Sequence, residues 1–173
     1  NILISIMGNI ISSFLPSEPQ KSIQPRKFRG KPSTPVVLLY SYVGSGYHGL
    51  QFQPGVPTIE AILLEAIINA GLIPPNSYNS LNSINWHEAS RTDVGVHAAA
   101  QVVSFRVSLP DDFKVSELDS LIEEYLPPNS PITLWKTTTF CSMFDAQRFA
   151  EGRRYHYLMP LHAFKEPTLQ HFQ

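Results

Sequence analysis

The amino-acid sequence predicts an α+β fold of the split βαβ, ferredoxin-like kind, with two helices on one face of a sheet and one strand beyond the usual four. Three observations carry that expectation. Residues 36–42 are an apolar, β-branched run and residues 100–107 alternate with period two, as strands do. Residues 59–70 and 118–125 repeat their apolar positions with the period of a helix. The order along the chain is strand, helix, strand, strand, helix, strand, strand.

The first strand, 36–42, follows Pro35 and is built from Val, Leu and Tyr, which suit a buried pleated surface. A glycine-rich loop leads to the first helix. Thr58 is its expected N-cap and Glu60 suits the positive end of its dipole, while Ile59, Ile62, Leu63, Ala66, Ile67 and Ala70 recur at helical spacing before Gly71. Leu64 and Ile68 widen the stripe, so most of this helix is expected to be covered. Residues 72–85, rich in Asn, Ser and Pro, read as a loop, and 84–89 as a short strand. Along 100–107, Gln101, Val103, Phe105 and Val107 share one face and Val102, Ser104 and Arg106 the other. The second helix is expected from Ser116, with Ser116 and Asp119 as a capping box and Leu118, Leu121, Ile122 and Tyr125 as its stripe, until Pro127-Pro128 stops it. Strands at 132–140 and 153–159 complete the order.

At 173 residues and 43% hydrophobic composition, the chain suffices for one domain with a real core, or for a portion of something larger. The single cysteine, Cys141, excludes an internal disulfide and fits a reducing intracellular compartment, and its apolar neighbourhood predicts a packed thiol. The six histidines are scattered and no Cys-x-x-Cys accompanies them, so no metal site is expected. Residues 1–35 stand apart. They begin apolar but broken by Asn and Ser, then turn basic from Lys21 to Lys31, with Glu18 their only carboxylate. This stretch reads as a poorly ordered arm without a transmembrane span or secretory leader, with Met7 as a candidate start and room for a nuclear or mitochondrial address.

The segment with most chemistry is Ser90-Arg91-Thr92-Asp93-Val94-Gly95-Val96-His97-Ala98, which sets a carboxylate near a guanidinium, with a glycine that lets another molecule approach the backbone. A capped turn with a surface Arg and Asp uses the same residue types. The segment, continued by Gln101-Val102-Val103-Ser104-Phe105, resembles the active-site motif of the TruA family of tRNA pseudouridine synthases. Further matches fall in the family's order. Tyr42-Val43-Gly44-Ser45-Gly46-Tyr47-His48-Gly49-Leu50-Gln51 is similar to its first-strand loop, and Thr58-Ile59-Glu60 to the opening of its next helix. Phe144-Asp145-Ala146 and Arg153-Arg154-Tyr155-His156-Tyr157-Leu158 are similar to its second signature. Val43 and Leu126-Pro127-Pro128 bring the likeness closer to the eukaryotic branch. On this resemblance, residues 36–173 are the N-terminal half of a catalytic core whose C-terminal half is absent.

The resemblance implies an RNA-modifying isomerase that converts uridine to pseudouridine in tRNA. The bond between uracil N1 and ribose breaks, the base turns, and it rejoins the ribose through C5, with no cofactor and no metal. The target nucleotide must leave its stack and be shielded from water. Asp93 matches the essential carboxylate, as nucleophile or base, and both a covalent adduct and a glycal intermediate stay open. Arg91 matches the arginine that occupies the space left by the flipped base, and Tyr155 the aromatic that stacks on the uracil. Thr92 and Gly95 are expected to shape the loop, and His97 to be structural. Read as residues alone, Tyr155 and Tyr157 are ordinary strand tyrosines on one face, with Arg154 and His156 on the other. The helix-free face of the sheet is expected to be open and RRM-like, available to unstacked bases. The implied partner is tRNA, without a membrane; a homodimer stays open, since bacterial members pair subunits and eukaryotic ones need not.

Charge argues for restraint. Five of the 13 basic residues precede Pro35 while 13 of the 14 acidic ones follow it, leaving the body at −5, whereas an RNA cleft should be basic. The alternative reading is therefore a non-catalytic RNA-binding or structural remnant of the same fold. The glycine loop after the first strand lacks Gly-x-Gly-x-x-Gly and does not open directly into a helix, so a dinucleotide or P-loop reading fails.

Overall fold

In the computed structural model, which describes residues 23–109 and 113–161, alternation along the first strand decides how the sheet is buried. Every second residue of β1 (Thr34–Tyr42) is buried: Val36, Leu38, Tyr40 and Tyr42. The antiparallel register sets Phe105, Val103, Gln101 and Ala98 of β3 (Ala98–Val107) beside them. On the other side of β1, Leu38, Tyr40 and Tyr42 meet Thr137, Leu134 and Ile132 of β4 (Ile132–Thr139). The short β2 (His87–Glu88) pairs with Ser104 and Val103. The sheet thus has the order β2-β3-β1-β4, all pairs antiparallel. This is the split βαβ arrangement, with β3 inserted between β1 and β2.

Two helices close the core on that face. Thr58 caps α1 (Ile59–Asn69) as expected, its hydroxyl accepting from Ala61 N at 3.3 Å. Ile59, Leu63, Leu64, Ala66 and Ile67 of α1 and Leu118, Leu121 and Ile122 of α2 (Leu118–Glu124) join the buried residues of β1, β3 and β4 in one cluster. Residues 72–85 contribute more than a loop would. They form 3₁₀ turns at Ser77–Asn79 and Leu81–Ile84, held locally by Ser77 Oγ to Pro74 O and Ser83 Oγ to Ser80 O, both 2.7 Å, and they bury Leu72, Ile73 and Ile84. Two bulges interrupt the ladder. Ser41 faces both Ala99 and Ala100, and Trp135 has no counterpart on β1.

Several expectations are corrected. Ser116 lies inside a 3₁₀ turn (Val115–Glu117) that precedes α2, so its hydroxyl is in no position to cap, and the helix has no side-chain cap. Residues 153–159 are not a strand. All of 151–160 is exposed and without secondary structure, because an alternating run becomes a strand only against a ladder partner, and none of the described strands pairs with it. The helix-free face is open only in part, with Val37, Leu39 and Val102 half-buried. The chain returns over it after β4, with Ala146 N donating to Ser104 Oγ at 3.0 Å, Arg106 Nη2 to Ser142 O at 3.3 Å, and Ala146 itself buried. Phe144 stacks between Phe140 and Phe149 on this return, with ring centroids 4.5 and 5.6 Å away. Cys141, at its start, is exposed and not packed. Residues 1–22 of the expected arm lie outside the described residues. The remainder is tied to the body, Arg26 N donating to Asn69 O at 2.8 Å and Tyr125 Oη to Gln24 O at 3.3 Å, and Thr34 and Pro35 already belong to β1.

Candidate active site

Between β2 and β3 the chain from Ala89 to His97 is held by hydrogen bonds to β3, to Tyr42 and to the loop after β1. Ala89 N donates to Val102 O at 2.8 Å, which continues the β2 pairing by one residue. Gln101 Nε2 donates to Ser90 O at 2.7 Å. Thr92 is held twice, by a 2.6 Å hydrogen bond between its Oγ1 and Tyr42 Oη, and by Leu50 N donating to its carbonyl at 3.1 Å. Asp93 O then accepts from Val96 N at 3.2 Å, closing a turn in which Gly95 takes φ 75°. Ser90 and Thr92 are half-buried, while Arg91 and Asp93 are exposed and make no ion pair among the described residues. Burial alternates along the segment, so holding Ser90 and Thr92 inward leaves Arg91 and Asp93 outward.

The glycine-rich loop after β1 makes this possible by lying directly against the segment. A Cβ on Gly44 would sit 2.0 Å from Val96 O, and one on Gly49, where φ is 91°, 2.8 Å from Thr92 O. Only glycine allows both approaches. The likeness of residues 42–51 to a first-strand loop thus has a physical content: the loop is a bed for the Arg91–Asp93 segment.

Arg91 and Tyr155 line one cavity of about 730 Å³ at the β2 edge, although they are 64 positions apart in the chain. Arg153 brings the tyrosine there, its guanidinium donating to Ala89 O through Nε at 2.9 Å and through Nη2. Tyr155 is 56% exposed, enough ring surface to receive a flat ligand. Asp93 lies two residues beyond Arg91, solvent-exposed, and is not part of that cavity's lining. Thr92 and Gly95 shape the loop as expected, whereas His97 is exposed and Tyr157 extends into solvent. Arg148 pairs with Asp145 at 3.4 Å and stays outside the cavity, which Gln147 lines instead.

The cavity wall is acidic below and basic at its rim. Glu60, 1% exposed, accepts from Phe52 N; burial raises its pKa, opposed by that N–H, by Trp86 and by the charge of Arg91. Trp86 Nε1 is near enough to favour the Glu60 charge, yet not aligned as a hydrogen bond. Glu88 is pushed well above the usual carboxylate range by burial and then by the neighbouring Glu60, with the Tyr40 hydroxyl, 3.5 Å from its Oε1, and Arg91 acting the other way. Among the described residues no group of three His, Cys, Asp or Glu is placed to hold a metal ion, and no helix is long and apolar enough to cross a membrane.

The arrangement is an exposed carboxylate and an exposed guanidinium, neither in an ion pair among the described residues, on a pinned backbone beside a cavity with an aromatic wall. Comparison with known proteins bears on it directly. The chain is 36% identical over 137 residues to tRNA pseudouridine synthase 1 of Schizosaccharomyces pombe, covering 79% of this chain. The eukaryotic TruA family is where this stretch belongs. To the protein of the same name in Saccharomyces cerevisiae it is 33% identical over 136 residues, and to pseudouridylate synthase 1 homolog of Mus musculus 38% over 143 residues, covering 79% and 81% of this chain. No family model matches it. The chain spans about a quarter of the length of the two fungal relatives, at 24% each, and 31% of the mouse protein.

Sequence reasoning missed the residues that build this TruA-type site from behind. Gln101 carried a signal: it is the one polar residue on the apolar face of 100–107, and it is there to hold Ser90 O. Tyr42 and Arg153 each open a segment that resembles the family, but their supporting contacts to Thr92 Oγ1 and Ala89 O appear only once the chain is folded.

Proposed function

We propose that this chain carries the catalytic aspartate of a pseudouridine synthase acting on tRNA. Asp93 serves as nucleophile or base on a uridine flipped out of its stack, Arg91 occupies the space the base has left, and Tyr155 stacks on the uracil. In the isomerisation the N1–C1′ bond breaks, C1′ bonds to C5, the C5 proton leaves and N1 gains a proton, so no cofactor enters the balance. The observation that carries this reading is the presentation of Arg91 and Asp93, exposed positions on a backbone held at Ser90 and Thr92, with no ion pair among the described residues. The names of the relatives supply the substrate class. An intracellular setting, nuclear or mitochondrial, goes with it.

The non-catalytic reading keeps one supporting observation, the −5 charge of the body from Val36 on. Tritium release from tRNA labelled at uridine C5 separates the two, measured with the intact protein and with this segment, each with and without Asp93→Ala. Release that vanishes with Asp93 supports isomerisation. No release from either, on tRNA not previously modified, favours the remnant.

A further inference from the structure

Tyr42 ends β1 on the helix-covered face and is 3% exposed, so its ring is a core residue. Its hydroxyl is another matter. A buried hydroxyl requires a partner, and here the aligned one is Thr92 Oγ1, at 2.6 Å, in the short part of the O–H···O range, with the Gln101 side chain of β3 also near the phenol. A phenylalanine would fill the same volume without that requirement. Burial also raises the phenol's pKa, which keeps the hydroxyl protonated and able to donate at neutral pH.

The contact lies one residue before Asp93, whose side chain has no partner of its own among the described residues. Leu50 N holds the Thr92 carbonyl, and the Tyr42 hydroxyl holds its side chain. Together they fix both ends of the residue from which the Thr92–Asp93 peptide departs, and so the direction in which the Asp93 carboxylate leaves the backbone. Rate depends on such direction more steeply than affinity does, because a displacement of an ångström at a reacting group is felt in the chemical step. We propose that Tyr42 is a positioning residue, which through Thr92 aims the Asp93 carboxylate at the bound nucleotide. This rests on the reading of Asp93 as the catalytic carboxylate.

The test uses the intact protein, single-turnover tritium release, and separate measurement of the dissociation constant for tRNA. Tyr42→Phe and Thr92→Val are each expected to lower the single-turnover rate roughly three- to tenfold, the worth of one hydrogen bond, with the dissociation constant unchanged. Thr92→Ser, which keeps the hydroxyl, should retain the wild-type rate. The double variant should be no slower than either single one, because both remove the same contact. An unchanged rate in Tyr42→Phe, or losses that multiply in the double variant, would overturn the proposal. A second readout does not depend on turnover: backbone ¹⁵N order parameters of Asp93 and Val94 should fall in Tyr42→Phe and in Thr92→Val, while those of β1 and β3 hold. If the wild-type protein releases no tritium, the functional reading falls by itself; unchanged amides in these variants then overturn the positioning role as well.

Discussion

Asp93 is exposed and makes no ion pair among the described residues, so under the proposed role its removal should touch activity and leave the fold alone. Asp93→Ala is expected to abolish turnover with a stability change within about 0.5 kcal/mol, checked by tritium release beside a denaturant titration. For Tyr155, if the proposed stacking holds, Phe should be tolerated far better than Ala in single-turnover rate, because stacking needs the ring and the hydroxyl has no hydrogen-bond partner among the described residues. Glu88 makes a prediction of a different kind. Its folded pKa is raised, by burial first and by Glu60 second, so above the ordinary Glu range of about 4.3 the unfolded chain gives up a proton that the folded one keeps. The fold then binds more protons than the unfolded chain, and Glu88 lowers stability increasingly as pH rises, until the folded group ionises too. Glu88→Gln should therefore raise the melting temperature at pH 7 and above and change it little at pH 4.

The elements differ in how far the chain alone announces them. β1, α1 and β3 were legible within two residues because their signals are local: an apolar run after a proline, a threonine cap on a helical stripe, and alternation along 100–107. The start of α2 was misread because Ser116 and Asp119 have capping spacing, while the preceding backbone winds into a 3₁₀ turn instead. Residues 153–159 alternate as a strand does, but pairing is a property of neighbours, and Arg153 anchors them to Ala89 O without a ladder. Of the site, Arg91 and Asp93 were legible and their supports were not, since the burial of Glu60 and Glu88 and the reach of Tyr42 exist only after folding. The loop after β1 gives the sharpest test at this scale. Gly49→Ala places a Cβ 2.8 Å from Thr92 O at a φ that disfavours any side chain, at a cost of about 1–3 kcal/mol, and it should lower both the melting temperature and the tritium-release rate. Leu63→Ala, in the middle of α1, should cost about 2–5 kcal/mol in a denaturant titration while leaving the rate per folded molecule unchanged.

For the molecule as a whole, the charge of −5 beyond Pro35 limits what this segment does with RNA unaided. Among the described residues, Arg91 and Arg153 are the only Lys or Arg side chains that line the cavity, so if RNA is held there alone its binding should weaken with salt at a log–log slope no steeper than about −2, measurable by filter binding. A steeper slope would locate a phosphate-binding surface elsewhere on the chain. The alternation of held and free residues from Ser90 to Asp93 has a consequence beyond the test tube. The side chains that tie this short stretch to the fold are not the ones it presents to solvent, so a lesion at Asp93 produces no unfolded protein for chaperones or proteases to remove. An Asp93→Ala copy should therefore persist in cells at the same steady-state level as the wild type, measurable by immunoblot, and a drop in that level would place Asp93 in the fold after all.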